Sequence, residues 1–185
     1  VFVIILLGML VIACVKTRVL LLLGGAGALL VPCLWFMMKG YQKQRVLTFI
    51  DPERDPLGAG YHVIQSKIAV GSGGFIGKGY LRGTQGSLRF LPEQHTDFAF
   101  AVFAEEWGFA GTLVLLALFL FLVFRSFHLA SRSQERFASF ACGGLGVYFL
   151  AHIAINLAMV CGLFPVVGIP LPFVSYGGSS MLTNM

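Results

Sequence analysis

The run Phe98-Ala-Phe-Ala-Val-Phe-Ala-Glu-Glu-Trp-Gly-Phe-Ala-Gly-Thr-Leu-Val-Leu-Leu-Ala-Leu-Phe-Leu-Phe-Leu-Val-Phe124 carries only two charges, Glu105 and Glu106, in 27 residues. A helix needs about 20 predominantly apolar residues to cross the hydrocarbon core of a bilayer, so this run is long enough. Backbone polar groups in lipid must be satisfied within the protein, which leaves helices and closed barrels as spanning structures. The run is too long and too uniformly apolar for the alternating strands of a barrel, and it therefore reads as a helix. Three further apolar stretches cover Val1–Val15, Val19–Met38 and Phe137–Val160, and a fifth begins near Val174. The expectation is an all-α polytopic membrane protein. Its single domain over 1–185 would hold helices at about 1–15, 19–38, 98–124, 137–160 and 174–185. The chain opens inside an apolar run and closes a few residues into another, which reads as a piece of a longer protein.

Composition agrees with that reading. Apolar residues make up 57% of the chain, charged residues 11%, and the mean hydropathy is +0.86. A soluble domain is roughly one quarter charged, so too little charge is present here to cover a wet surface. The net charge of +5 does not argue for nucleic acid. Its Lys and Arg lie between apolar runs, where membrane orientation and lipid headgroups account for them. The four cysteines, Cys14, Cys33, Cys142 and Cys161, lie in or at the edge of apolar segments without metal-ligand spacing. They read as small buried apolar residues.

The connections are unequal. Lys16–Arg18 and Arg125–Arg136 are short and basic, and Cys161–Phe173 is short without Lys or Arg. Lys39–Asp97 is long and polar, with eight Lys and Arg against five acids. Positive charge in short loops marks the cytoplasmic side, which places the loop at about 39–97 outside the cytoplasm. Within it, Tyr61, Ile64 and Ile68 recur at helical spacing, as in a short amphipathic helix at the membrane surface.

Nearly all the candidate chemistry lies in that long segment. Gly71-Ser-Gly-Gly-Phe-Ile-Gly-Lys-Gly79 is glycine-rich, but it lacks the spacing of a phosphate-binding loop and of a dinucleotide fingerprint. It reads either as a turn close to the membrane or as a loop whose amides and Lys78 approach an anionic headgroup. In Phe90-Leu-Pro-Glu-Gln-His-Thr-Asp-Phe-Ala-Phe100, Pro92 suits a first helical turn, with Glu93 and Asp97 one turn apart on one face. Both acids have a plain explanation as macrodipole partners. Asp97, however, stands at the membrane boundary, where ionisable groups are costly and usually functional. Of Glu105 and Glu106, deeper in the span, one reads as a partner for a basic residue from a helix outside this chain. His152 and Asn156 share a helical face and suit interhelical hydrogen bonding. Pro170-Leu-Pro-Phe-Val-Ser-Tyr-Gly-Gly-Ser-Ser180 fits a close helix contact or a re-entrant turn.

These motifs, taken together, resemble a known family. Asp51-Pro-Glu-Arg-Asp-Pro-Leu-Gly-Ala-Gly-Tyr-His-Val-Ile-Gln-Ser-Lys67 is similar to the start of the large extracytoplasmic loop of SEDS (shape, elongation, division and sporulation) proteins. Gly83-Thr-Gln85 with Phe90-Leu-Pro-Glu-Gln-His-Thr-Asp97 resembles the RodA branch, and Leu171-Pro-Phe-Val-Ser-Tyr-Gly-Gly-Ser-Ser180 the family's last-span signature. The division branch typically has Gly-Asn-Ser in place of Gly-Thr-Gln. Trp107 departs from the Leu usual after the two glutamates. The resemblance covers about Asp51 to Ser180. It implies the C-terminal part of a ten-helix SEDS bundle in the bacterial inner (plasma) membrane. It also implies a peptidoglycan glycosyltransferase that polymerises lipid II during cell elongation beside a class B penicillin-binding transpeptidase. Asp97 takes the catalytic position, and Gln85, Glu93 and His95 of the same motifs are candidate substrate-binding residues.

The implied chemistry suits the residues. A sugar hydroxyl must attack an anomeric carbon whose leaving group is a polyprenyl pyrophosphate, and a positioned carboxylate acting as general base contributes about 10²–10⁴-fold. An α-linked donor giving a β-linked product requires inversion, hence single displacement. Lys67, Lys78 and Arg82 are the cations available to the pyrophosphate. A divalent cation as an aid to the leaving group stays open, since no ligand cluster is visible in the sequence. Two rivals remain from the sequence: a lipid II flippase, and a non-catalytic scaffold for the transpeptidase.

The topology is directly testable. In a full-length protein without native thiols, an impermeant thiol reagent applied to intact cells with a permeable outer envelope should label Ser87→Cys and spare Ser131→Cys. The reverse pattern would overturn the orientation.

Overall fold

The computed structural model describes residues 2–13, 15–51, 59–80, 82–83 and 97–175. Among these the chain is all-α, with helices α1 (Phe2–Ile12), α2 (Thr17–Met37), α3 (Gly40–Ile50), α4 (Ala59–Ser72), α5 (Ala99–Arg132) and α6 (Arg136–Val160). Two of them, α5 and α6, are long and apolar enough to cross a membrane. Only 22% of the most apolar window of α5 is buried within the protein. Side chains such as Leu113, Leu118, Phe121 and Phe124 are exposed, as suits a helix whose apolar surface meets lipid or further helices.

The helices depart from their expected bounds in instructive ways. The polar segment from Lys39 to Asp97 holds α4 where a short helix was expected, and also α3, which was not expected. The third expected span continues past Phe124 to Arg132 and leaves a turn of only Ser133 to Glu135 before α6. Hydropathy marks the part of a helix that sits in hydrocarbon, not the point where hydrogen bonding ends. Arg125 and His128 thus carry α5 beyond the apolar run without breaking it. Of the fifth expected span, Val174 and Ser175 belong to a turn region, and the remainder lies outside the described residues.

The chain forms two compact units. The first comprises Val1–Gln44 and Phe121–Ala151. Its contacts run over small residues, with Gly8 against Val147, Gly143 against Ile12, and Gly144 against Met9. Gly146 faces Phe127 and Ser126, and the Ser139 hydroxyl donates to the Ala130 carbonyl at 2.8 Å. Membrane helices gain nothing from burying hydrocarbon against one another, so close approach over glycine is what holds them. Cys142 is half-buried here, and Cys161 beyond α6 is exposed. The expectation of buried cysteines fails at Cys161 because it sits in the turn that ends the helix.

The second unit comprises Arg45–Leu120 and His152–Met185. In α4 the buried positions are Val63, Ser66 and Ala69, while Ile68 is 46% exposed. The expected Tyr61, Ile64 and Ile68 stripe, read as facing the membrane surface, is distinct from this packed face. Small residues occupy that face, and the Ser66 hydroxyl donates to the Val160 carbonyl at 2.9 Å. After α4 the chain turns through Gly73–Gly79 into a break in α5 at Gly108, whose φ is 65°. The Lys78 and Gly79 amides donate to the Glu105 and Glu106 carbonyls, and the Phe109 and Ala110 amides donate to the Gly74 and Phe75 carbonyls, all at 2.9–3.0 Å. The break removes helical partners from these α5 groups, and the loop replaces them. The glycine-rich sequence follows from this contact. Gly77 has φ +86°, and a Cβ there would collide with the Glu106 carbonyl.

Gly77→Ala should therefore destabilise the purified full-length protein by about 1–3 kcal/mol or more, from overpacking and strain together. Gly71→Ala, in helical α4 with open space around it, should be neutral or slightly stabilising. Thermal unfolding in detergent compares the two. Equal midpoints would show that the loop does not depend on its fit in the break.

Candidate active site

Asp97 precedes α5, and Phe98 just after it is 1% exposed. The ring of Phe98 packs beside His62 of α4, with centroids 6.1 Å apart. Phe98, Ala101, Ala104 and Glu105 are all buried, which fixes the entry of the helix. The backbone carbonyl of Asp97 accepts a hydrogen bond from the Asn156 amide at 2.9 Å, and the same amide donates to the Ile169 carbonyl at 2.7 Å. Asn156 is fully buried, and its Oδ1 has no partner among the described residues. The sequence marked Asn156 as a hydrogen-bonding residue. Its partners are backbone carbonyls on either side of α6, not another helix's side chain. Asp97 is half-buried, and its carboxylate lies beside Gly168.

The loop after α6 gathers these elements. At its start, the Lys67 side chain lies against Gly162. Further on, Gly168 faces Asp97, and the Leu171 amide donates to the Ser175 hydroxyl at 2.7 Å. Lys67 and Asp97 thus both border the short connection that the sequence marked as free of Lys and Arg. Ser66, which the sequence did not single out, anchors α4 to the end of α6 through Val160. A hydroxyl among apolar neighbours at a helical register was the only available signal for it.

A second cluster surrounds Glu105. Its side chain is fully buried, and Oε1 pairs with the Lys78 ammonium at 2.7 Å, the lysine side chain being 31% exposed. The Ser72 hydroxyl lies 3.4 Å from the same oxygen, and Gly83 packs beside the carboxylate. One of Glu105 and Glu106 was expected to meet a base from a helix outside this chain; Glu105 is met by Lys78 of the neighbouring loop. The same pairing bears on the glycine loop, whose Lys78 and Gly79 amides are spent on α5. Arg82 is exposed. Gln85, Glu93 and His95 lie outside the described residues. Among the described residues, no group of three His, Cys, Asp or Glu is placed to hold a metal ion.

Two membrane-length helices, one of them broken and sealed by a glycine loop with an acid at its head, fit a polytopic membrane protein. The family model for the FtsW, RodA and SpoVE cell cycle proteins matches residues 1–185. The chain is 55% identical over 159 residues to the peptidoglycan glycosyltransferase MrdB of Escherichia coli K12, covering 85% of this chain and 43% of that protein. It is 45% identical over 149 residues to the peptidoglycan glycosyltransferase RodA of Treponema pallidum, covering 80% of this chain and 34% of that one. A solved structure described as coordinating polymerization and crosslinking in a peptidoglycan synthase complex superposes with a TM-score of 0.73 at 38% identity, over 98% of this chain and 51% of the other. The chain belongs to the FtsW/RodA/SpoVE family, the SEDS proteins, on its RodA branch. It spans less than half the length of the curated relatives described.

The Lys78–Glu105 pair makes a sharp prediction. Lys78→Met leaves a buried carboxylate uncompensated and should cost about 2–4 kcal/mol, whereas adding Glu105→Gln should recover more than half of the loss. Thermal midpoints of the single and double variants of the full-length protein measure this. Additive losses would mean that the two charges do not support each other.

Proposed function

We propose that the full-length protein is an inverting peptidoglycan glycosyltransferase of cell elongation. Lipid II serves as donor and acceptor, and Asp97 is the general base. The observation that carries the reading is the placement of Asp97. Its backbone is tied down at the head of a membrane-length helix, and the residue is half-buried with its carboxylate beside Gly168 of a loop. The names of the relatives support the same chemistry. No observation favours the flippase or the scaffold.

In this mechanism Asp97 accepts the proton from the acceptor sugar's hydroxyl as that oxygen attacks the anomeric carbon. The pyrophosphate leaves from the opposite face in a single displacement, so the configuration inverts. A carboxylate in this role is worth about 10²–10⁴-fold. Of the three cations, Lys67 and Arg82 are exposed and suit the pyrophosphate, which needs positive charge as its bond to the sugar breaks. Lys78 contributes less, since its charge already faces Glu105. Gln85, Glu93 and His95 complete the proposed substrate-binding set.

The protein is further proposed to be a multi-pass protein of the bacterial inner membrane, with the Lys39–Asp97 segment on the outer side. Its proposed partner is a class B penicillin-binding transpeptidase that crosslinks the new strands. A structural relative described as a complex for polymerization and crosslinking supports the pairing.

Asp97→Asn in the full-length protein should abolish polymer formation from labelled lipid II at matched levels of folded protein. The complex is purified in mild detergent, where the transpeptidase should be recovered with it. A dipole partner alone would be worth about 0.3–1 kcal/mol of stability and little rate. Near-normal polymer from Asp97→Asn would remove the proposed base, and repeated absence of the transpeptidase would sink the pairing.

A further inference from the structure

We infer that Asn156 is a positioning residue for Asp97, and that it acts by locking the head of α5 to the loop after α6. The inference rests on the reading of Asp97 as general base. One side-chain nitrogen donates to the carbonyl of Asp97 at 2.9 Å and to the carbonyl of Ile169 at 2.7 Å. These two acceptors come from segments 59 residues before and 13 residues after Asn156 in sequence, so the side chain staples two distant backbones at one point. Its orientation is fixed by chemistry. Turning the amide over would put Oδ1 against two carbonyl oxygens, which cannot donate.

The stapled loop reaches the carboxylate itself. Gly168, next to Ile169, has φ +75°, and a Cβ at that position would lie 3.2 Å from Oδ2 of Asp97. The loop therefore passes close to the carboxylate with no side chain between them. Any shift of Ile169 would move that wall, and any shift of the Asp97 carbonyl would move the carboxylate on it. The two carbonyls held by Asn156 thus set the position of the proposed base from its backbone side and from its carboxylate side.

The amide at Asn156 both satisfies two carbonyls and carries a cost of its own. The residue is fully buried and its Oδ1 has no partner among the described residues, which penalises an amide at this position relative to a hydrocarbon side chain. What the amide supplies that a leucine cannot is a direction for two carbonyls. A carboxylate acting as base is sensitive to this, because small displacements of a catalytic group cost rate steeply.

The test uses the full-length protein with its transpeptidase, and the measured quantities are kcat and KM for lipid II at matched folded protein. Asn156→Leu, close in size, should lower kcat about 10- to 100-fold and leave KM within about twofold, because the groups that bind lipid II stay in place. Gly168→Ala should give the same split by crowding Oδ2. If Asn156→Leu yields no folded protein, Asn156→Ser, which keeps a donor for at most one of the two carbonyls, decides in its place by the same kcat and KM split. A kcat within about twofold of the parent, or a loss confined to KM, overturns the inference. Asp97→Asn measured alongside separates the two levels. Near-normal polymer from it removes the base, whereas an inactive Asp97→Asn with unaffected Asn156→Leu overturns only the positioning role.

Discussion

The unit that carries the candidate site depends on four backbone hydrogen bonds between the glycine loop and the break in α5. A helix interrupted inside a membrane exposes amides and carbonyls that lipid cannot satisfy, at a cost of several kcal/mol for each group. Here Gly74, Phe75, Lys78 and Gly79 return a partner to each affected group of Glu105, Glu106, Phe109 and Ala110. The same loop brings the Lys78 ammonium to the buried Glu105 carboxylate. The charge that would be hardest to keep in this helix is thus neutralised by the segment that repairs its backbone. With α5 held in this way, the helix head places Phe98 in the core and Asp97 at its edge.

Much of this was legible before any coordinates. The apolar run from Phe98 to Phe124, the charge shortage and the motif from Phe90 to Asp97 identify a membrane helix with an acid at its head, and the structure puts both there. What the sequence could not supply is pairing over distance. Glu105 and Lys78 were each visible as unusual charges, but 27 residues separate them, and nothing in periodicity brings a loop back onto a helix yet to come. The break at Gly108 was hidden for a similar reason. A glycine in an apolar helix is ordinary in membranes, and its positive φ exists only because the loop fills the gap. The glycine run at 71–79 stayed open between a turn near the membrane and a loop approaching a headgroup, because close backbone approach serves a ligand and a neighbouring helix alike.

The α4 face shows a second limit of pattern reading. Tyr61, Ile64 and Ile68 mark a face for the membrane surface, but the face that packs within the chain is mostly of small residues, which no pattern announces. Val63, Ser66 and Ala69 are buried because small side chains let α4 approach the end of α6, and Ile68 points away at little cost. Asn156 belongs to the same lesson. Its polarity was noticed, but its partners are main-chain carbonyls, and main-chain acceptors carry no mark in a sequence.

The repaired break also bears on biogenesis. Synthesis runs from the amino terminus, so α4 and its glycine turn leave the ribosome before α5 does. When α5 enters the bilayer, the segment that completes its backbone is already made and tethered a short distance upstream. Had the order been reversed, an unrepaired helix would have waited in hydrocarbon with open amides and carbonyls, inviting misassembly or degradation. The order of segments along the chain thus has the repairing loop made before the helix it completes.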